Sequence, residues 1–286
     1  GETMKITVMC VVRDSERTLP FCLKKLEVLG KMYDMEYYFY ENDSKDKTVE
    51  ILETWMIDKE GQVYSEILNA PSFGHTTQVE RMERMTYYRN TLLNHIKPLK
   101  SDYCLLLDAD IDYTVDIVEK YLSHMKKDVV MCTPYIKQSV KCNMCNCNKQ
   151  SYYDTFALQD KDNYEGILLS CNPFTRAEDR KLWDDKKPIS VNSAFGGIAL
   201  IRSKAVNDSQ WGTKLRSSKF KNLEGREMGS CEHWAFCEGI KKHGKILVIP
   251  TIEAFVKIKS WELPPQQKVL QQGMIDDPWQ RWAANL

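Results

Sequence analysis

"DYCLLLDADID", residues 102–112, decides how the rest of the chain is read. Four apolar residues, Cys104 to Leu107, run straight into Asp108 and Asp110, with only Ala109 between the two acids. An unbroken apolar run is what a strand covered on both faces requires. Two acids at its end do no packing, so they point to chemistry. Carboxylates at i and i+2, placed where the extended backbone breaks, can both reach one hard divalent cation. Mg2+ or Mn2+ takes such oxygen ligands and completes its shell with water and substrate phosphates. A single Asp-x-Asp is common. What gives this one weight is its place in a strand–helix series.

That series extends to both sides. "KITVMCVV" (5–12) is a second apolar run, followed by Leu19, Cys22, Leu23 and Leu26 at helical spacing. "MEYYFYE" predicts a strand, "NDSKDKTVEILETWMID" a capped helix with Val49, Leu52 and Trp55 on one face, and "QVYSEILNA" a third strand. "QVERMERMTYYRNTLLNHI" reads as a long helix, "VDIVEKYLSHM" as another, and "DVVMCTPYI" as a strand. Such alternation predicts an α/β fold: a single doubly wound domain with a mostly parallel central sheet flanked by helices.

Regularity breaks near residue 135, so residues 4–134 are expected to form one half of the domain and 135–286 the other. A long polar insertion runs to about residue 190. Periodic segments resume at "SAFGGIALIR", "SCEHWAFCEGIKKHG" and "KILVIPTIEAFV". The tail "WELPPQQKVLQQGMIDDPWQRWAANL" is expected to wrap over the body.

Composition narrows the function classes. The 286 residues are 43% hydrophobic and 28% charged, with 40 basic and 40 acidic side chains. Zero net charge argues against a nucleic-acid partner. No apolar run approaches the roughly 18 residues that a membrane span needs, and no signal-peptide pattern is visible. "GET" ahead of Met4 reads as foreign, with the native chain expected to begin at Met4. Of ten cysteines, Cys10, Cys22, Cys104 and Cys132 sit in apolar periodic segments as small hydrophobes. Cys142, Cys145 and Cys147 cluster in "KCNMCNCNK". With Cys171 they could hold zinc, but no second CxxC follows, so free thiols or a local disulfide stay open. A reducing cytoplasm is the expected compartment.

In doubly wound sheets, ligands bind beyond the carboxyl ends of the strands. Here those ends carry Arg13 and Asp14, then Glu41, Asn42 and Asp43, then Asp108 and Asp110. "ENDSKDKT" (41–48) matches position by position the "DDGSxDxT" segment of family 2 glycosyltransferases, with Glu41, Asn42 and Asp43 replacing its Asp, Asp and Gly. With Asp108-Ala109-Asp110 the chain resembles the GT-A class of nucleotide-sugar glycosyltransferases, whose fold is Rossmann-like. The resemblance implies a UDP- or GDP-sugar donor. It also implies that Glu41 accepts from the base, that the backbone around Val12 and Arg13 supports it, and that Asp43 and Ala109 line the donor site. Asp108 and Asp110 would hold Mn2+ or Mg2+ on the diphosphate. A carboxylate can accept from a uracil or guanine N–H, whereas it would repel a phosphate. A helix N-cap role for residues 43–48 is compatible with all of this.

"RMERMTYYRNTLL" and "YYDTFALQD" are similar to segments of the fungal capsule-type mannosyltransferases and their bacterial or viral relatives. Their arginine helix borders the donor pocket, which makes Arg84 and Arg89 candidate donor contacts. Asp154 and Asp160 would face the sugar or acceptor. Gln159 stands where that family shows Arg, so its specificity need not carry over. In "NSAFGGIALIR", Gly196 and Gly197 permit positive φ or close approach of an acceptor sugar. In "GSCEHWAFCEGI", Glu232 opens a helix. By type and place it is a candidate base for the acceptor hydroxyl of an inverting transfer. His233 is a candidate third metal ligand or phosphate contact, and Trp234 a candidate sugar platform. The expected activity is metal-dependent transfer to a hydroxyl of a glycan acceptor, with a retaining enzyme as the alternative. A sugar nucleotidyltransferase is disfavoured because "VVRDSERTLP" has no glycine. The intact acids disfavour a non-catalytic carbohydrate-binding domain.

Overall fold

The apolar runs of the sequence become inner strands of one sheet. The computed structural model describes residues 4–73, 77–141, 148–216 and 227–256. Elements follow in the order β1 (Lys5–Val12), α1 (Leu19–Gly30), β2 (Asp34–Asn42), α2 (Thr48–Met56), β3 (Gly61–Glu66), α3 (Val79–Ile96), β4 (Tyr103–Leu107) and β5 (Ile111–Tyr113). Then come α4 (Ile117–His124), β6 (Val129–Lys141), β7 (Asn148–Tyr152), α5 (Ala177–Asp184), β8 (Ile189–Val191), β9 (Ile198–Arg202), α6 (Ser203–Asn207), α7 (Glu232–Lys241) and β10 (Lys245–Val256).

The strand order is β3-β2-β1-β4-β9-β6-β10-β5, with β7 on β6 and β8 on β10. From β3 to β4 every pairing is parallel, as the strand–helix alternation predicts. Beyond β4 the sheet is mixed: β9 runs antiparallel to both β4 and β6, β10 is parallel to β6, and β5 is antiparallel to β10. The expectation of a mostly parallel sheet therefore holds only for the first half. A parallel pair needs a crossover that returns the chain to the same edge. β9 reaches β4 from the insertion, without such a crossover.

Residue 135 lies inside β6, so residues 4–134 and 135–256 share one sheet. The insertion is more regular than its sequence suggests, since β6 runs on to Lys141 and pairs with β7. The cysteine cluster Cys142, Cys145 and Cys147 and the tail from residue 257 lie outside the described residues. Cys171 is described; it is exposed and free. The core packs Ile6, Val8 and Cys10 of β1 against Leu105 and Leu107 of β4 and Leu200 of β9, all fully buried. α1 buries Leu19, Cys22, Leu23, Leu26 and Leu29, one helical face.

"ENDSKDKT" builds a clasp between two loops. Asp14 N–H donates to the Ser44 hydroxyl at 3.0 Å, Ser15 N–H to Thr48 Oγ1 at 2.7 Å, and Glu16 N–H to Asp46 Oδ2 at 2.9 Å. Asp46 Oδ1 also accepts from Thr48 N–H at 2.9 Å, at the start of α2. Asp43, at φ 53°, reaches the other way. Its Oδ1 accepts from Leu68 and Asn69 N–H, both at 2.8 Å, and its Oδ2 from Ala70 N–H at 3.0 Å. Desolvation works against the charge. The Asn42 amide and these three backbone donors overcome it and hold the carboxyl down at about 2. The residue standing where the family shows Gly thus pins the loop after β3.

Asp43→Ala removes a charged acceptor of several backbone donors and is expected to cost about 2–3 kcal/mol. Urea unfolding checks this. The penalty shrinks as the wild-type carboxyl protonates from about pH 4 toward pH 2, because its depressed pKa stabilises the fold only above that range.

Candidate functional site

Because β1, β2 and β4 are parallel, their polar C-terminal ends open on one edge of the sheet. Asp108 follows β4 directly, and its N–H donates to Gly197 O at 2.8 Å. One residue earlier, Gly196 N–H donates to Asp154 Oδ2 at 2.8 Å. The two glycines thus couple an acid at the end of β4 to an acid from the insertion. Both take positive φ, 69° and 73°. A Cβ would sit 2.8 Å from Pro134 Cδ at Gly196 and 2.4 Å from Ile111 Cγ1 at Gly197. Their small size therefore admits the protein's own side chains at those points, rather than an acceptor sugar.

Helix α3 supplies the cation. Arg89 is buried; its Nε donates to Glu232 Oε1 at 3.3 Å, and its Nη2 lies 3.6 Å from Asp108 Oδ1. The Phe195 ring lies under the guanidinium at 5.3 Å. Glu232 is the first residue of α7, where the helix dipole favours an anion. It is 5% exposed.

The acids do not share one electrostatic state. Burial raises the Asp108 carboxyl; Arg89 opposes this, while Asp110, Asp154 and Glu232 add to it, leaving it at about 7. Burial also raises Asp154, to about 6, against the Gly196 N–H. Glu232 goes the other way. Burial again works against its charge, but His233, Arg89 and Arg81 outweigh burial and hold it down at about 2. Burial lowers His233 to about 3, so the imidazole is neutral at neutral pH. With His233 neutral, the guanidiniums of Arg89 and Arg81 are the charges that favour an ionised Glu232.

Several expected residues are placed differently. Arg84 is exposed. At 3.6 residues per turn it points about 140° away from Arg89. Arg81, which the sequence reading passed over, faces the acids instead. Asp160 spends its carboxylate on Asp162 N–H at 2.8 Å, Tyr164 N–H at 3.0 Å and the Thr175 hydroxyl at 3.2 Å, so it organises its own loop. His233 Nδ1 accepts from Trp211 Nε1–H at 3.3 Å, and its Nε2 lies 3.6 Å from Glu232 Oε1. It lies buried between Trp211 and Glu232. Trp234 gives its indole N–H to Phe156 O at 2.9 Å and carries Arg216 over its ring, so a sugar would have to displace that cation. Trp234 lines a groove of about 800 Å³ with Gln159, Asn192 and Arg216, on the side of α7 away from Glu232.

On the nucleotide side, Glu41 accepts from Ser44 N–H and the Ser65 hydroxyl, both at 2.6 Å, and is 2% exposed. It fastens its own turn, and a base N–H would have to share its remaining lone pairs. Val12 is buried beside Glu41 in the β1–β2 register. Arg13 ties its loop to Ala70 O at 2.9 Å and Pro71 O at 3.2 Å. Ala109 is buried between the two acids. Tyr153 and Phe195 escaped the sequence reading. Tyr153 lies among Asp110, Asp154 and Asp108, and burial pushes its phenol well up. The one signal for it was its place next to Asp154.

Among the described residues, no group of three His, Cys, Asp or Glu side chains is arranged to hold a metal. The donor set nevertheless suits a hard cation. Mg2+ is bound by one or two carboxylates plus substrate phosphates, and the Asp108 carboxyl, raised by burial and then by the acids around it, has Arg89 at 3.6 Å as its opposing charge. Asp108 and Asp110 are the pair that would hold such an ion.

A family model described as Cryptococcal mannosyltransferase 1 matches residues 7–239. Among solved structures, Staphylococcus aureus TarS 1–349 in complex with UDP-GlcNAc is 14% identical, with a TM-score of 0.50 over 90% of this chain and 59% of that one. The Pyrobaculum calidifontis mannosyltransferase PcManGT in complex with GDP-Man and Mn2+ is 12% identical, with a TM-score of 0.48 over 90% and 58%. The chain thus spans less than two thirds of either protein. No curated protein sequence matches it. The likeness to TarS is one of fold.

In metal-free protein, Asp108 binds more protons folded than unfolded between about pH 4 and 7, so it lowers stability as pH rises through that window. Asp108→Asn is expected to raise the melting temperature at pH 8 by about 2–4 °C, by less at pH 5, and to leave it nearly unchanged at about pH 4 and below. Paired thermal melts check this.

Proposed function

This chain belongs to the Cryptococcal mannosyltransferase 1 family and is a glycosyltransferase of GT-A fold; on that premise we propose that it is a metal-dependent enzyme moving a sugar from a nucleoside-diphosphate sugar to a hydroxyl of a glycan acceptor. The observation that carries the proposal is the meeting of Asp108, Asp154, Glu232 and Arg89 at the edge where β1, β2 and β4 end. The donor is a GDP- or UDP-sugar, with a mannosyl donor, after the family's description, the first to test. Asp108 and Asp110 hold Mn2+ or Mg2+, which when bound supplies Lewis-acid charge to a departing diphosphate.

The residues divide the remaining work. Arg81 and Arg89 supply positive charge beside the phosphates. Glu232, ionised and shielded from water, accepts the acceptor hydroxyl's proton as that oxygen attacks the anomeric carbon, which inverts configuration. Arg89 limits its basicity while the two are paired, because a base works best with a pKa near the working pH. One observation favours a second reading. The Asp154 carboxyl, at about 6, lies closer to that optimum and makes Asp154 the alternative proton acceptor. Buried thiols at Cys10, Cys104, Cys132, Cys231 and Cys237, none in a disulfide, suit a reducing cytoplasm. No helix among the described residues is long and apolar enough to cross a membrane.

A thermal-shift screen of GDP- and UDP-sugars is expected to show stabilisation that requires Mn2+ or Mg2+ and disappears in Asp108→Asn/Asp110→Asn. Equal stabilisation with a chelator present would refute metal dependence. In turnover with the donor so found, Glu232→Gln is expected to lose about 100-fold or more in kcat, with Asp154→Asn losing less. The reverse ranking assigns the base to Asp154.

A further inference from the structure

Arg89 stands where a cation's charge is needed, yet it pairs closely with neither acid. Its Nη2 lies 3.6 Å from Asp108 Oδ1 and its Nε 3.3 Å from Glu232 Oε1. Charge-assisted hydrogen bonds run at about 2.7–2.9 Å, and a firmly paired arginine meets a carboxylate through two parallel donors. Here one guanidinium is stretched between two carboxylates from distant parts of the chain. Its side chain is only 4% exposed, its Nη1 is buried with no hydrogen-bond partner among the described residues, and Phe195 covers one face. Burying a donor without a partner costs stability.

We propose that Arg89 is an internal counter-cation: its charge occupies Asp108 when no metal is bound, and a divalent ion binds there in competition with it. The proposal rests on reading Asp108 and Asp110 as metal ligands and adds what opposes the metal. With a cation on Asp108, the guanidinium keeps Glu232 as its partner, and its unpartnered Nη1 is a donor ready for an anion that arrives with the ion. Arg89 is thus a positioning residue that tunes metal affinity through charge.

The test is Mn2+ binding to the full chain without nucleotide, read from the electron paramagnetic resonance signal of free Mn2+. Arg89→Met is expected to tighten Mn2+ binding about tenfold, by removing a like charge from the site. Arg89→Lys keeps the charge and is expected to stay within about threefold of wild type. Because Arg89→Met leaves Glu232 buried and uncompensated, Arg89→Met/Glu232→Gln is measured beside Glu232→Gln. In that neutral background, too, loss of the arginine is expected to tighten binding. Unchanged or weaker binding on losing Arg89 in both backgrounds overturns the proposal and leaves Arg89 a packing residue. So does equal behaviour of the Lys and Met variants. Where wild type binds no Mn2+ without nucleotide, the same variants are compared with GDP or UDP present, because substrate phosphates complete the shell; if Asp108→Asn abolishes no Mn2+ binding there either, the metal reading itself falls, a result distinct from the other two.

Discussion

One buried guanidinium, held between a carboxylate at the end of β4 and another at the start of α7, sets the electrostatic state of this sheet edge. Arg89 and Glu232 lie 143 positions apart in sequence, so their contact closes the fold across the site. A buried ion pair is weak support for stability, since desolving both charges offsets most of their attraction. Here one cation also serves more than one acid, and Asp108 is left with its carboxyl raised to about 7. Carboxylates that stay under-compensated are what a site prepared for an added cation looks like.

The frame around that edge is stiff. The clasp through Ser44, Asp46 and Thr48 joins the loops after β1 and β2, and Asp43 anchors the loop after β3. Gly196 and Gly197, in conformations that side chains rarely adopt, lock Asp154 and Asp108 to one turn. Most polar groups near the edge are thereby committed to backbone partners. Among the described residues, Nη1 of Arg89 is an exception, buried without a hydrogen-bond partner. Rigid scaffolding with a few uncommitted charges suits chemistry that relies on preorganised electrostatics rather than on loop motion.

The parallel half of the fold was legible because the apolar runs at 5–12 and 104–107 alternate with helices of clear period. The antiparallel entry of β9 was not, since a strand's sequence carries its burial but not its direction. β5, "IDY", is too short to show any period. At the site, Asp108, Asp110 and Glu232 could be picked out by residue type at the end of a strand or the start of a helix. Arg84 was chosen over Arg81 because sequence shows that a helix is basic without showing which face its neighbours cover. Asp160, His233 and Trp234 carry functional residue types, but backbone donors, an indole N–H and an arginine claim their polar atoms or ring faces. Such commitments depend on contacts from far along the chain and leave no local trace.

The account stands or falls on whether the acids after β4 take a metal that meets a nucleotide's phosphates. The direct measurement is anomalous X-ray scattering at the manganese edge from crystals grown with Mn2+ and GDP or UDP. The account predicts one manganese peak within bonding distance of Asp108 and Asp110 carboxylate oxygens and of the diphosphate. A bound nucleotide with no manganese there, or with manganese held by other residues, would contradict it.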